Sequence, residues 1–399
     1  MVRIKRHMHL GVSAFLAATT IGQASASAAS LMLFPILRTG LLALAVVFFA
    51  IYHLRGKART SNLFSLALIV FLFAYGLIVT ALQGSSSYSI PYFFQSFLII
   101  FFGIFFYSVS AEEENRSKVA INQIWFAILI LAFLAITGAI VFDFPPYFVY
   151  DIYVEGGQVT YNQGTSSFFG IAALSSLFLL KASAGRAHQS AMLVLFFVFV
   201  LISLLGGGRG EILFLLVASL HITFHSGLRG IVLGLVAILL IATFFTFADL
   251  GFLDDLEIYK RFLVIFLNSD YGLRDVLFSQ AIDLLLNDNR CFFFGCGFGA
   301  FQSHYQYPPE LYPHNILLEA LLTWGVPITA LVIILFFVGL VRGRSAGALN
   351  YFGFYSVLVG MKSGDILGSW LAFSFIFFYA STGFILLVRR RASGVALDT

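Results

Sequence analysis

Charge is what this chain has least of. Only 11% of its 399 residues are Asp, Glu, Lys or Arg, while 60% are hydrophobic, and the mean hydropathy is +0.95. That excludes an ordinary soluble globular protein, in which about a quarter of the residues are charged. Other signatures are missing too. The eight histidines are scattered, with no Asp-x-Asp element, no Walker loop and no Gly-x-Ser-x-Gly elbow, so no bound metal and no cofactor is expected. Internal repeats, low-complexity tracts and an inverted pair of broken helices are also absent, which weighs against a transporter. Cysteine is nearly absent. Cys291 and Cys296 are the only two, and their spacing leaves a disulfide open.

What the chain does have is apolar runs of about 20 residues, each long enough for a hydrocarbon core about 30 Å thick. In lipid the backbone must satisfy its own hydrogen bonds, and continuous apolar runs rather than period-two alternation select helices. The expectation is an all-α polytopic membrane protein forming one integral-membrane domain over 1–399. Twelve spans are read near 11–29, 36–53, 62–82, 91–110, 118–142, 165–181, 191–207, 209–225, 230–248, 315–340, 350–364 and 366–388. For the first, a cleaved signal peptide is the rival reading, since Ala-Ser-Ala-Ser-Ala-Ala follows a basic start.

The pI near 9.0 is explained by topology, not by nucleic acid. With an even span count and both termini inside, 16 of the 23 Lys and Arg fall on the inner side. Arg38, Arg209, Lys260, Arg261, Arg274, Arg290 and Lys362 remain outside as exceptions to explain.

Two outer loops are long, near 143–164 and 249–313. The first is aromatic, with no Lys or Arg. Its tyrosines suit a membrane interface, and stacking on sugar rings is the functional alternative. The second carries nine acidic and four basic residues, a net −5. Within it Leu273, Val276, Leu277, Ala281, Leu284 and Leu285 follow a helical period, predicting a surface helix with Arg274, Asp275, Ser279 and Asp283 on its polar side. The Gly-Cys-Gly-Phe-Gly that follows is either a turn dipping into the bilayer or a close backbone approach to a ligand.

Arg209 stands in Gly-Gly-Gly-Arg-Gly-Glu at a turn between spans, with Glu211 as a partner or orienter. A guanidinium there is either a snorkelling interface residue or a planar fork for phosphate. Arg274 gains weight only in company. His314 is expected to begin a helix, with Pro313 at its first position and Asn315 next, where free N–H groups favour an anion. Its imidazole suits phosphate binding or general base work. Glu319 is a second titratable group. Lys362 and Asp365, three apart, either neutralise each other in a turn or add Lys362 to a phosphate cluster.

Gly-Gly-Arg-Gly, then an Arg in a long outer loop, then Gly-Cys-Gly-Phe-Gly and His-Asn before a span, resemble the O-antigen polymerase and O-antigen ligase superfamily over the second half of the chain. The Lys-Ser-Gly-Asp turn is similar to polymerase members. The resemblance implies a GT-C-like, metal-independent glycosyltransferase of the bacterial inner membrane with a periplasmic active site. Its donor would be an undecaprenyl-diphosphate-linked glycan, its surroundings the bilayer, and its partners a flippase and a chain-length regulator. Arg209, Arg274 and His314 match the family's catalytic positions, with Lys362 as a further diphosphate ligand and Glu211, Glu319, Asp365 and Asn315 in support. Ligases often carry Ser before the turn Arg; here it is Gly208, which favours the polymerase.

Overall fold

A computed structural model describes residues 8–20, 36, 39–48, 60–83, 89–110, 113–138, 140–141, 147–148, 153–154, 157–158, 163–182, 185–205, 209–224, 273–308, 311–342 and 349–392. The architecture is helical. In chain order the helices are α1 (Met8–Thr20), α2 (Thr39–Phe48), α3 (Thr60–Gln83), α4 (Ser89–Ser110), α5 (Glu113–Ile136), α6 (Gln163–Ala182), α7 (Arg186–Leu205) and α8 (Arg209–Phe224). They continue with α9 (Leu273–Asn287), α10 (Asn289–Phe294), α11 (Ala300–Tyr305), α12 (Ile316–Arg342), α13 (Leu349–Ser363) and α14 (Trp370–Ala392). In the first long loop, Ile140–Val141 pairs with Tyr147–Phe148 and Tyr153–Val154 with Gly157–Gln158, as two antiparallel ladders. The aromatic side chains of that loop lie outside the described residues.

Six of these helices are long and apolar enough to cross a membrane: Phe64–Gln83, Arg116–Ile136, Gly164–Ala182, Arg186–Leu205, Ile316–Val341 and Trp370–Val388. The chain is therefore a multi-pass membrane protein. Twelve full-length spans are not found among the described residues. His9–Thr19, Thr39–Phe48, Ser89–Ile104 and Gly210–Leu220 are shorter apolar helices. The expected span 350–364 is a helix of 15 residues, which at 1.5 Å per residue covers about 22 Å. The expected span 230–248 lies outside the described residues.

The chain divides into two compact units. The first is Met1–Arg55 with Glu112–Asp270, and the second is Gly56–Ala111 with Tyr271–Thr399. In the first, small polar residues tie the helices. The Ser166 hydroxyl donates to the Ser203 carbonyl (2.9 Å) and the Ser203 hydroxyl to the Ser166 carbonyl (2.7 Å), pinning α6 to α7. The Gln123 amide donates to the Ser13 carbonyl (3.0 Å), joining α5 to α1. Small interfacial residues of this kind let helix backbones approach and bond within lipid.

In the second unit α12 and α14 cross closely, because Gly339 and Gly383 face each other's backbones. A Cβ at Gly339 would strike the Tyr379 carbonyl, and one at Gly383 the Leu335 carbonyl. α12 is also discontinuous. Gly325 adopts φ +79°, and Pro327 follows within the helix. Pro lacks an N–H, so the carbonyls before the break need other donors. The Thr329 hydroxyl donates to the Ala320 carbonyl (3.0 Å), and the Cys296 N–H donates to the Leu322 carbonyl.

Candidate functional site

The second unit holds the candidate site, near the start of α12. The helix expected on the outer loop exists as α9, and it buries Leu277, Ala281, Leu284 and Leu285. This stripe packs on Phe301, Leu318 and Leu322. It is therefore covered by protein, not laid on lipid. Leu273 and Val276, assigned to the same stripe from sequence, are 67% and 48% exposed. They fall outside the cluster that the helix meets.

Asp288 caps α10, accepting from the Arg290 N–H (2.8 Å) and the Cys291 N–H (3.4 Å). Cys291 and Cys296 are joined by a disulfide, with Cα atoms 4.7 Å apart. The three glycines that follow have φ of +80° (Gly295), +84° (Gly297) and +67° (Gly299). Their close approach is to protein. The Phe298 N–H donates to the Thr80 hydroxyl (2.8 Å), the Gln83 amide donates to the Gly295 carbonyl (3.2 Å), and Phe298 is buried among Phe73, Phe93 and Trp324. The ligand alternative for this segment is not supported; the glycines fit a hairpin into α3 and the break of α12.

His314 is not the start of a helix. Its backbone lies in the left-handed region at φ +54°, and α12 begins at Ile316. A non-glycine residue held there is strained, by an amount on the order of 1–3 kcal/mol. Asn315 is the cap. Its Oδ1 accepts from the Leu317 N–H (2.9 Å) and the Leu318 N–H (3.1 Å), so these donors are already taken and are not free for an anion. Its amide donates to the Met361 carbonyl (2.7 Å), tying the start of α12 to the end of α13 next to Lys362.

The turn aims the imidazole against the Tyr312 ring, with centroids 4.0 Å apart, and leaves its buried Nδ1 without a hydrogen-bond partner. Burial, then Arg274, then Lys362 depress its pKa to about 4. The physical reasons are desolvation and repulsion by two cations. Charges from two other segments therefore act on the imidazole: Arg274 on the first turn of α9 and Lys362 in the last turn of α13, with His314 itself before α12.

Two carboxyls expected in support lie on the same elements, Glu319 in α12 and Asp365 in the turn between α13 and α14. Glu319 is 5% exposed, and its Oε1 has no hydrogen-bond partner. Asp365 accepts from the Tyr92 hydroxyl (3.1 Å) and the Gly368 N–H (2.6 Å). Below Asn315 an apolar cavity of about 190 Å³ opens between α12, α13 and α14, lined by Ile316, Trp324, Phe336, Val357, Met361 and Phe377.

Arg209 and Glu211 belong to the other unit, on the first turn of α8. The backbone of Arg209 is described but its side chain is not; Glu211 is fully buried. Among the described residues one group has metal-ligand character, Asp288 with Cys291 and Cys296. Its sulfurs are bonded to each other and its carboxylate caps α10. His221 and His225 stand four apart in the sequence, but their side chains lie outside the described residues. Sequence reasoning missed Tyr92, Tyr312 and Gly325. Of these only Gly325 had a signal, the Gly-Val-Pro inside an apolar run.

The arrangement offers fixed positive charge and a neutral imidazole beside an apolar cavity. It can hold an anion and accept a proton. The chain matches no known family model, no curated protein and no solved structure.

Proposed function

We propose that this protein is a glycosyltransferase that polymerises undecaprenyl-diphosphate-linked repeat units of O-antigen or a similar surface polysaccharide. The twelve-span GT-C-like topology belongs to the proposal, as do the inner-membrane location, cytoplasmic termini and outward-facing site. The observation that carries it is the neutral His314 in a strained turn, flanked by Arg274 and Lys362 and adjoining an apolar cavity. A lipid diphosphate has both features, an anionic head and an apolar tail.

In this reading Arg274 and Lys362 hold the diphosphate and stabilise the charge that develops on it as the glycosidic C–O bond breaks. The acceptor hydroxyl attacks the anomeric carbon. Its proton passes to the His314 imidazole, which is neutral and able to take it. The diphosphate leaves as the anion, and the linkage is already activated, so no ATP is required. Ligation of the glycan to lipid A-core uses the same chemistry. A lipid-linked glycan transporter is the reading from another class, and the discontinuous α12 is the observation that favours it.

The test is complementation of cells lacking the native enzyme. Arg209→Ala, Arg274→Ala and His314→Ala should abolish chain extension while the protein still inserts, leaving single repeat units on lipopolysaccharide. Loss of all repeat units would instead indicate ligation. Full polysaccharide length from Arg274→Ala and His314→Ala would end the reading.

A further inference from the structure

The short α10 and the glycine hairpin after it belong to a stretch that the sequence presents as an outer loop. Their backbone is bonded as a segment out of water must be. The Phe294 carbonyl accepts from the Tyr75 hydroxyl (2.8 Å) and the Gly295 carbonyl from the Gln83 amide (3.2 Å). The Cys296 N–H donates to the Leu322 carbonyl, and the Phe298 N–H donates to the Thr80 hydroxyl (2.8 Å). A loop in water needs no such partners. In hydrocarbon an unmet N–H or C=O is costly, and irregular backbone persists only where protein satisfies it.

The depth of this segment can be counted on two helices. Their reference ends lie at one end of the unit. Asn315, before α12, bonds to Met361 near the end of α13, and Tyr92, near the start of α4, bonds to Asp365 in the α13–α14 turn. A short connection joins α4 to Gln83, the last residue of α3, where the sequence turns to Gly-Ser-Ser-Ser. Tyr75 lies about two turns before Gln83, or about 12 Å along the axis. Its side chain leans toward the helix N-terminus, so the hydroxyl that meets Phe294 is not lifted back toward that end. On α12 the break at Gly325 lies about 13 Å from Ile316. Gly295 is packed on that break, since a Cβ at Gly325 would lie 2.7 Å from the Gly295 nitrogen. The two counts agree. They place Phe294 and Gly295 well within a layer about 30 Å thick.

At that depth α10 presents two uncovered rings. Phe293 is 53% exposed and Phe294 62%. Phe71, Tyr75, Ile78 and Leu82 share one face of α3, and of these Phe71, Ile78 and Leu82 are exposed. The Tyr75 bond to the Phe294 carbonyl joins the two surfaces, so the α10 rings continue a face of a membrane span.

We infer that 289–299 is a re-entrant element, which enters the bilayer from the end of the bundle that carries His314 and returns to it, with the Phe293 and Phe294 rings against lipid acyl chains. The partner of this surface is the hydrocarbon of the membrane, in which a Phe side chain is favourable. The left-handed backbone at Gly295, Gly297 and Gly299 allows the tight reversal, and the Cys291–Cys296 disulfide ties the descending helix to the hairpin.

The inference uses no step of the proposed glycosyl transfer, and its test needs no substrate. The only two cysteines are bonded to each other, so a cysteine introduced elsewhere is the one thiol to label. Full-length Phe293→Cys, Phe294→Cys, Ile78→Cys and Asp275→Cys are spin-labelled and reconstituted into vesicles of phosphatidylethanolamine and phosphatidylglycerol. Power saturation then reads collisions with oxygen, which concentrates in hydrocarbon, and with a water-soluble nickel chelate. The oxygen-to-nickel ratio at Phe293→Cys and Phe294→Cys should match that at Ile78→Cys and exceed several-fold that at Asp275→Cys, an exposed carboxylate position of α9. A ratio at Phe294→Cys equal to that at Asp275→Cys overturns the inference, because the segment is then in water. A label shielded from both reagents, with spin–spin broadening that disappears on dilution with unlabelled protein, also overturns it, because a second copy of the chain then covers the rings. Should the cysteine variants fail to fold, Phe294→Trp keeps an aromatic ring in place. Its added fluorescence should be quenched by lipids brominated on their acyl chains, and quenching by aqueous iodide instead overturns the inference. The glycosyltransferase reading stands or falls separately, on Arg274→Ala and His314→Ala.

Discussion

Alanine at Gly295 should destabilise this protein more than alanine at any glycine in open space, and the size can be worked out. Gly295 has φ +80°, and a Cβ there would lie 2.5 Å from the Thr323 carbonyl oxygen and 2.7 Å from the Gly325 nitrogen. Both are backbone atoms, so neither can swing away. A left-handed backbone costs an L-residue about 1–2 kcal/mol. Forcing atoms into a filled contact adds about 1–3 kcal/mol. Gly138 separates the two contributions, since it has φ +71° but nothing within 4 Å of an added Cβ. Gly138→Ala should therefore cost about 1–2 kcal/mol, and Gly295→Ala about 2–5 kcal/mol. Gly40, on a helix and equally unobstructed, is the control, with an effect within about 1 kcal/mol in the stabilising direction. Gly325→Ala meets the Gly295 nitrogen and the Phe293 carbonyl at 2.7 Å, so it should resemble Gly295→Ala and be non-additive with it. The assay is thermal unfolding of the purified variants in one detergent, followed by chromatographic recovery of monomer. The reasoning fails if Gly295→Ala melts together with Gly138→Ala.

Other outcomes are expected. The depressed His314 pKa means the folded state refuses a proton that the unfolded state accepts from about pH 6.5 downward. Its contribution is therefore whole above that pH and is lost as pH falls toward 4, a slope that His314→Gln should remove. Arg274→Ala or Lys362→Ala should raise the imidazole titration only part of the way to its ordinary value, since burial is the largest cause; NMR or the acid limb of an activity profile reads the shift. Reducing the Cys291–Cys296 bond, which closes a short loop, should lower stability by about 2 kcal/mol in the chain-entropy account, measured as melting with and without reductant. Asn315→Ala should free the start of α12 from Met361 and cost about 1 kcal/mol for the cap, and Asn315→Asp should restore the cap but not the Met361 bond.

Much of the frame was legible. The period of Leu277, Ala281, Leu284 and Leu285 is local, so α9 and its buried side could be read from spacing. Long apolar runs likewise gave α3, α5, α6, α7, α12 and α14. The site was legible only as a set of residue types. Arg274, His314 and Lys362 stood out as scarce cations expected on the outer side and an imidazole before a span, and nothing in their spacing said that the two cations act on the imidazole. The helix expected to start at His314 starts later, because the Asn315 side chain takes the cap and leaves His314 in the left-handed region. The break at Gly325 was hidden inside a run whose hydropathy never falters.

Composition alone determined that this is a membrane protein, because a chain with so little charge and so many long apolar runs has no stable alternative in water. Tertiary structure decided the rest. The hairpin of Gly295, Gly297 and Gly299 supplies the donor that the broken α12 lacks, and the Asn315 bond to Met361 sets His314 beside Lys362. Those are contacts between segments far apart in the chain, and backbone hydrogen bonds that must be satisfied out of water can be assigned only once the partners are in place.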